Sequence, residues 1–376
     1  MKQTLFTLFL SLLTIYQSYS QTNLDETITH NGIQRSYLTY IPEVYDENVA
    51  VPLLFNLHGY TSSAIEQQFY GDFRPIADTA NFILVHPNGT IDENGNRWWN
   101  AFGFTALDDV GFLTMLIDEL RSKYTIDTNR IYSTGMSNGG FMSYELACYT
   151  ENKIAAVASV TGTMTKNRME NCLNTSPTPV LQIHGTNDAT VPYNGTNDYA
   201  SMDELIDFWV TKTGADTSAI VTNLPDIDTN DNSTVEHYLY ANGQNGTSVE
   251  FYKVLNGGHT WPGSTFEIQG LVTNQDINAS VEIWRFLSQY SLNNVLSAPS
   301  NEFVNLSIYP NPSEGDITIK SNQKIDQIQI MDLTGRILKD VPSGFHTQKI
   351  HISQKGIFFI NIVSNGKIYT EKIIIH

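Results

Sequence analysis

Short apolar runs closed by Gly, Asn or Asp recur along the chain up to about residue 290, and stretches of helical period lie between them. Residues 52–57, 82–86, 131–134 and 180–184 read as buried strands, and 249–254 alternates as a strand does. Residues 109–123 put Val110, Leu113, Leu116, Ile117 and Leu120 on one helical face, with the Asp108-Asp109 pair placed as an N-cap. Residues 141–149, which carry Glu145 as a surface position, and 279–290 also suit helices. Strand and helix in alternation predict an α/β fold, with a mostly parallel sheet covered by helices on both faces.

The pattern changes beyond residue 290. Residues 291–304 hold Asn293-Asn294, Pro299 and Ser300 without any period, which marks a linker between an enzyme-sized unit at 21–290 and a smaller one at 305–376. In the smaller unit, short strands at 316–319, 327–331, 356–362 and 370–375 are punctuated by Asn311-Pro312, Gly315 and Asn365-Gly366. That spacing predicts a small C-terminal all-β sandwich.

At the other end, residues 1–20 combine Lys2, an apolar run over 5–15 and the small or polar Ser18-Tyr19-Ser20, the layout of a signal peptide. No other segment approaches the ~20 apolar residues of a membrane span. The chain is therefore expected to be secreted or associated with the cell surface, without a stable membrane span. Cys148 and Cys172 are its two cysteines, and in an exported chain such a pair is expected as a disulfide. No C-x-x-C or H-E-x-x-H spacing suggests a metal.

The formal net charge is −18, unevenly spread: residues 21–304 carry 12 Lys and Arg against 33 Asp and Glu, whereas 305–376 carry 8 against 6. So acidic a field repels polyanions, which argues against nucleic acid and against highly charged pectins as partners.

The chemistry centres on Gly135-Met136-Ser137-Asn138-Gly139, which matches the nucleophile elbow G-x-S-x-G and lies between a strand at 131–134 and a helix at 141–149. A serine hydroxyl is a weak nucleophile unless a tight turn exposes it beside a base. Such a serine needs an acid and then a histidine, each on a loop behind a later strand. Asp188 follows the strand at 180–184 through Gly185-Thr186-Asn187, and His259 follows the strand at 249–254 in a Gly-rich loop. Alone, one is an ordinary turn aspartate and the other an ordinary loop histidine; together, in that order, they complete a triad. The oxyanion hole needs two backbone amides. Asn138 supplies one by position, and Tyr60, after the strand at 52–57, is the candidate for the other.

These residues also resemble a family. His58-Gly59, Arg97-Trp98-Trp99-Asn100, Asp108-Asp109-Val110-Gly111-Phe112, Gly135-Met136-Ser137-Asn138-Gly139-Gly140, His184-Gly185-Thr186-Asn187-Asp188 and Gly258-His259-Thr260-Trp261-Pro262-Gly263 are similar, as a set and in order, to the secreted polyhydroxybutyrate depolymerase and feruloyl esterase group of carbohydrate esterase family 1, also called LpqC-like. The resemblance covers about residues 29 to 290. It implies an α/β-hydrolase fold, carboxylic ester hydrolysis, the triad Ser137, Asp188 and His259, and no metal or organic cofactor. The Asp-, Asn- and Thr-rich stretch 214–248 departs from it, since many relatives carry a second cysteine pair there.

Ile308-Tyr309-Pro310-Asn311-Pro312, Asp332-Leu333-Thr334-Gly335-Arg336, Gly356-Ile357-Phe358 and the closing Lys372-Ile373-Ile374-Ile375 are similar to the C-terminal sorting domain of the type IX secretion system of Bacteroidetes. This implies that secretion machinery as a partner. A carbohydrate-binding or fibronectin-like module is the alternative, disfavoured because the unit has no tryptophan for sugar stacking.

The expected function is a secreted serine esterase acting on esters of neutral polymers, with feruloyl or acetyl groups on xylan ahead of polyhydroxybutyrate. Trp98, Trp99 and Trp261 are expected to line its cleft. A serine peptidase with the same triad, and a non-catalytic extracellular binding protein, are the alternatives.

Overall fold

In the computed structural model the described residues are 22–266, 268–292, 306–321, 324–332, 336–364 and 367–376. The expected signal peptide at 1–20, most of the expected linker, and the Asn365-Gly366 turn lie outside them.

Residues 22–287 form one ten-stranded sheet and seven helices. The strands, in chain order, are β1 (Thr22–His30), β2 (Ile33–Ile41), β3 (Val51–Leu57), β4 (Ile83–Pro87), the short hairpin β5 (Thr90–Ile91) and β6 (Arg97–Trp98), β7 (Ile126–Gly135), β8 (Ala156–Val160), β9 (Val180–Gly185), β10 (Ile220–Asn223), β11 (Thr234–Tyr240) and β12 (Val249–Leu255). The helices are α1 (Ala64–Tyr70), α2 (Arg74–Ala80), α3 (Asp109–Lys123), α4 (Asn138–Tyr149), α5 (Lys166–Glu170), α6 (Met202–Thr213) and α7 (Ala279–Leu287). Sheet order is β1-β2-β4-β3-β7-β8-β9-β12-β11-β10. The six central strands run parallel, while β1 and β2 on one side and β11 and β10 on the other are antiparallel.

The central strands are buried on both faces, so they read as continuous apolar runs, and their side chains divide between two cores by the two-residue period. Leu53, Phe55 and Leu57 of β3 face one core with Phe112 of α3, Phe141 of α4 and Trp209 of α6. Leu54 of β3, Leu181 of β9 and Val254 of β12 face the other, with Ala77 of α2 and Ile283 and Phe286 of α7. Helix α3 spans the residues its sequence predicts, because both ends carry local signals: the Asp108 side chain accepts from the Gly111 amide at 2.7 Å, and Arg121 and Lys123 sit in the last turn.

The polar stretch 214–248 is not a loop. It supplies β10 and β11, which widen the sheet beyond β12.

Residues 307–375 are all antiparallel: β13 (Ser307–Tyr309), β14 (Asp316–Lys320) and β17 (Thr347–His351) form one sheet, and β15 (Gln327–Met331), β16 (Ile337–Pro342), β18 (Gly356–Ser364) and β19 (Lys367–Ile375) another. A core of isoleucines with Phe358, from alternate positions of strands in both sheets, fills the space between them. Among the described residues no helix is long and apolar enough to cross a membrane.

Candidate active site

Ser137 is the second of the two residues between β7 and Asn138, the first residue of α4, and sits at φ 51° and ψ −119°. A non-glycine residue there stores of the order of 1–3 kcal/mol of strain, so its surroundings must fix it. The Ser137 amide donates to the Val160 carbonyl of β8 at 2.8 Å, and the Met136 amide to the Leu57 carbonyl of β3 at 3.1 Å. The flanking glycines permit this approach: a Cβ on Gly139 would lie 2.2 Å from the Leu57 carbonyl oxygen, and one on Gly140 2.4 Å from Ser159 Oγ. The elbow is thus wedged between the carboxyl ends of two neighbouring parallel strands.

Asp188 sits in the turn after β9 with its side chain fully buried. One carboxylate oxygen accepts the amides of Thr190 and Val191, each at 2.9 Å, and the other accepts His259 Nδ1–H at 2.7 Å. Burial alone would raise this carboxyl; the hydrogen bond from His259, the two nearby imidazoles and the Val191 amide outweigh it and hold the group below its ordinary value. With the Asp188 bond fixing a proton on Nδ1, the other nitrogen of His259 presents its lone pair. Among the described residues no hydrogen bond joins Ser137 Oγ to His259. The His259 loop is tied to its neighbours by backbone bonds, Asn187 N–H to the Gly257 carbonyl and Gly258 N–H to the Val272 carbonyl, both 2.9 Å.

Tyr60 follows β3, and its loop runs beside the elbow: a Cβ on Gly59 would meet Ser137 Cβ at 3.4 Å. Asn138 opens α4, so its amide belongs to the first turn, whose N–H groups have no partner within the helix. The neighbouring Thr61 amide is taken by the Arg97 carbonyl at 2.9 Å, and the Tyr60 amide has no acceptor among the described residues.

Two of the three tryptophans expected at the cleft belong to the core. Trp99 is 0% and Trp261 1% exposed. Trp99 donates its indole N–H to the His58 carbonyl at 3.0 Å, and Trp261 donates to Ser280 Oγ at 3.2 Å while its ring meets Phe73 edge-on. A large ring whose polar edge finds an internal partner gains more from burial than from solvent. Trp98 is half-buried. The aromatic surface lies elsewhere: Phe102 packs on Phe141, the residue one turn beyond the elbow, and on Tyr199 and Phe104, and Phe104 is 75% exposed.

Glu145 is likewise buried rather than at the surface. It forms a two-pronged ion pair with Arg168 of α5, part of it through Arg168 Nε at 3.0 Å. Asp108 is the N-cap of α3, while its neighbour Asp109 is buried against Arg35 at 2.7 Å and accepts the Asn100 amide at 2.7 Å. Cys148, at the end of α4, and Cys172, after α5, form a disulfide.

Two buried histidines escaped the sequence reading. His58 accepts the Gly89 amide at 2.9 Å and donates to the Gly59 carbonyl at 2.7 Å; burial pushes it down to about 4, so it is a neutral prop. His184 lies 3.5 Å from Asp188 and donates to the Val191 carbonyl at 2.8 Å, and burial lowers it too. Both stand in the quoted blocks, but nothing in their spacing separates a prop from a base. Among the described residues no group of three or more His, Cys, Asp or Glu is arranged to hold a metal ion.

Residues 48–217 match the phospholipase/carboxylesterase family model, and residues 307–376 match the secretion system C-terminal sorting domain. The bifunctional acetylxylan esterase/xylanase XynS20E of Neocallimastix patriciarum is 29% identical, over 76% of this chain and 37% of its own length. A protein assigned as an esterase, NocK of Nocardia uniformis subsp. tsuyamanensis, is 30% identical over 57% of this chain and 67% of its own. The chain belongs to the carboxylesterases of the α/β-hydrolase fold. Feruloyl esterase B of Piromyces equi is 29% identical to this carboxylesterase-family chain, over 60% of the chain and 42% of that relative. The chain therefore spans well under two thirds of the length of two of these relatives. A solved structure from Bacteroides ovatus, assigned as a dipeptidyl aminopeptidase IV, superposes with a TM-score of 0.50 at 13% identity over 72% of this chain and 36% of its own, a likeness of fold alone. The sorting domain makes the chain a secreted or cell-surface protein.

Proposed function

We propose that this carboxylesterase-family chain is a serine esterase of extracellular polymers in which Ser137, His259 and Asp188 act as the triad. The observation that carries the reading is the 2.7 Å bond from His259 Nδ1 to the buried Asp188, held behind the same edge of the sheet that holds Ser137 at its positive φ. Ser137 Oγ attacks the ester carbonyl, and His259 Nε2 takes its proton and returns one to the leaving alcohol. Asp188 keeps the imidazole in the tautomer this requires, and the Tyr60 and Asn138 amides receive the oxyanion. Attack needs Ser137 Oγ and His259 Nε2 to come within hydrogen-bonding reach, a contact that in free enzymes commonly tightens only with substrate.

The substrate class is feruloyl or acetyl esters of xylan, ahead of polyhydroxybutyrate. The names of the relatives support it, and so does the exposed Phe104 beside Phe102, which itself packs on Tyr199 and on Phe141, one turn of α4 beyond the elbow; such rings suit a flat aromatic acyl group or sugar face. The type IX machinery is the proposed export partner, through residues 305–376.

Two measurements test this. Ser137→Ala should lower kcat by on the order of 10⁴ or more, and turnover near the wild-type rate rejects the triad. On a panel of feruloylated xylan, acetylated xylan and polyhydroxybutyrate, release of hydroxybutyrate alone overturns the substrate ranking.

A further inference from the structure

Asn138 and Trp99 are joined more completely than their places in the chain require. The Trp99 amide donates to Asn138 Oδ1 at 2.6 Å, and Asn138 Nδ2 donates back to the Trp99 carbonyl at 3.0 Å, so one carboxamide saturates both peptide groups of a residue 39 positions away. The Trp99 indole then reaches on to the His58 carbonyl at 3.0 Å, with its ring lying 5.1 Å from the His58 ring. Both residues are buried, Asn138 to 4% and Trp99 to 0% exposure. His58 is itself pinned through both ring nitrogens, and it immediately precedes Gly59 and Tyr60. On its far side the ring of Trp99 lies against Phe112, which Arg35 covers at 3.9 Å while bonding Asp109, and Asp109 takes the Asn100 amide next to Trp99.

From this connected set we infer that Trp99 is a positioning residue that sets the spacing of the two oxyanion amides. The inference rests on the esterase reading given above. Asn138 offers its own backbone N–H to the oxyanion, and its side chain fixes Trp99; Trp99 in turn fixes the carbonyl two residues ahead of the Tyr60 amide. The two donors come from segments 78 residues apart, yet the brace between them consists of one tryptophan and one carboxamide. Hydrogen bonds aimed at a developing charge help only where they are held in place before the reaction, and a rigid indole wedged between two rings loses little freedom in holding them.

The brace predicts a signature that a merely structural tryptophan lacks. Trp99→Phe keeps an aromatic ring between His58 and Phe112 and removes only the indole donor and part of the volume. With 4-nitrophenyl acetate it should lower kcat by roughly 10- to 100-fold, below the loss seen when an oxyanion donor is deleted outright, and leave KM within about twofold. Phenylboronic acid supplies the second readout. Ser137 Oγ adds to its boron, the hydroxyl proton passes to His259, and a boron-bound oxygen occupies the oxyanion position, so its affinity should fall in parallel with kcat.

Asn138→Asp is the companion variant, of nearly the same shape, and decides the matter if Trp99→Phe does not fold. As a carboxylate it cannot donate to the Trp99 carbonyl; once protonated it can both donate and accept. Its kcat relative to wild type should therefore rise as the pH is lowered from 8 to 5.5. Wild-type kcat and boronate affinity in a folded variant, or a rise in KM with kcat unchanged, would overturn the brace. Activity persisting in Ser137→Ala would instead bring down the esterase reading itself, so the two failures are told apart.

Discussion

His58 and His86 are enclosed so completely that burial drives their imidazoles down to about 4 and about 3. In the unfolded chain both take up a proton near pH 6.5, whereas the folded protein keeps them neutral until far lower pH. The unfolded state therefore binds more protons throughout that window, and stability falls as pH drops from about 6.5 toward 4, by up to ~1.4 kcal/mol per pH unit for each histidine. Above pH 6.5 they contribute no slope. Asp188 acts in the same direction at lower pH: its lowered carboxyl adds stability that is present above the ordinary carboxylate range and is lost as pH falls from there through its folded value. Thermal midpoints between pH 7 and 4.5 should decline, and more shallowly in His86→Asn; an identical slope in the variant would count against this. At this scale the sequence was legible in the order of its loops: Asp188 and His259, each behind a later strand, meet at 2.7 Å, and Ser137 stands at the strand-to-helix turn. It misled where a polar or aromatic type was taken at face value: Glu145 is buried because Arg168 meets it from α5, a partner no helical period reveals, and Trp99 and Trp261 turn inward because carbonyl and hydroxyl acceptors await their indoles.

The disulfide is the feature of the elements most open to direct measurement. It ties the buried end of α4 to the segment beyond α5, closing a loop over 24 positions. The chain-entropy model puts the stabilisation at about 3 kcal/mol, and Asn174 bonds the Cys148 carbonyl at 2.9 Å across the same join. A double Cys148→Ser, Cys172→Ser variant should lose roughly that much in chemical denaturation while keeping ester turnover at 25 °C. Unchanged stability, or two free thiols in the denatured, unreduced wild type, would contradict it. Among elements, α3 was readable to the residue because its cap and its apolar stripe are both local. Strands β10 and β11 were not, because β10 lies wholly exposed and β11 only half-buried at the sheet margin, so neither shows the alternation that a half-covered strand would.

For the whole molecule, we propose that residues 21–290 and 305–376 are separable domains. The proposed triad, the proposed oxyanion amides and the ten-stranded sheet precede residue 291, while the C-terminal strands enclose an isoleucine core of their own. Removing the chain from Asn305 onward should leave ester turnover intact and abolish export from the native host; normal extracellular appearance of the shortened chain would show that the signal lies elsewhere. The glycines of the elbow set a different kind of boundary. Because Gly139 and Gly140 bring backbone and small side chains to distances that no added carbon tolerates, the geometry around Ser137 is closed to gradual revision by point mutation. Divergence toward new esters is thereby channelled into exposed loop positions, where Phe104, Phe266 and Leu271 already stand in solvent. A family built on such an elbow keeps one reaction fixed while its substrates drift, and combinatorial libraries aimed at changed selectivity belong at 102–106 and 264–272 rather than at the nucleophile's neighbours.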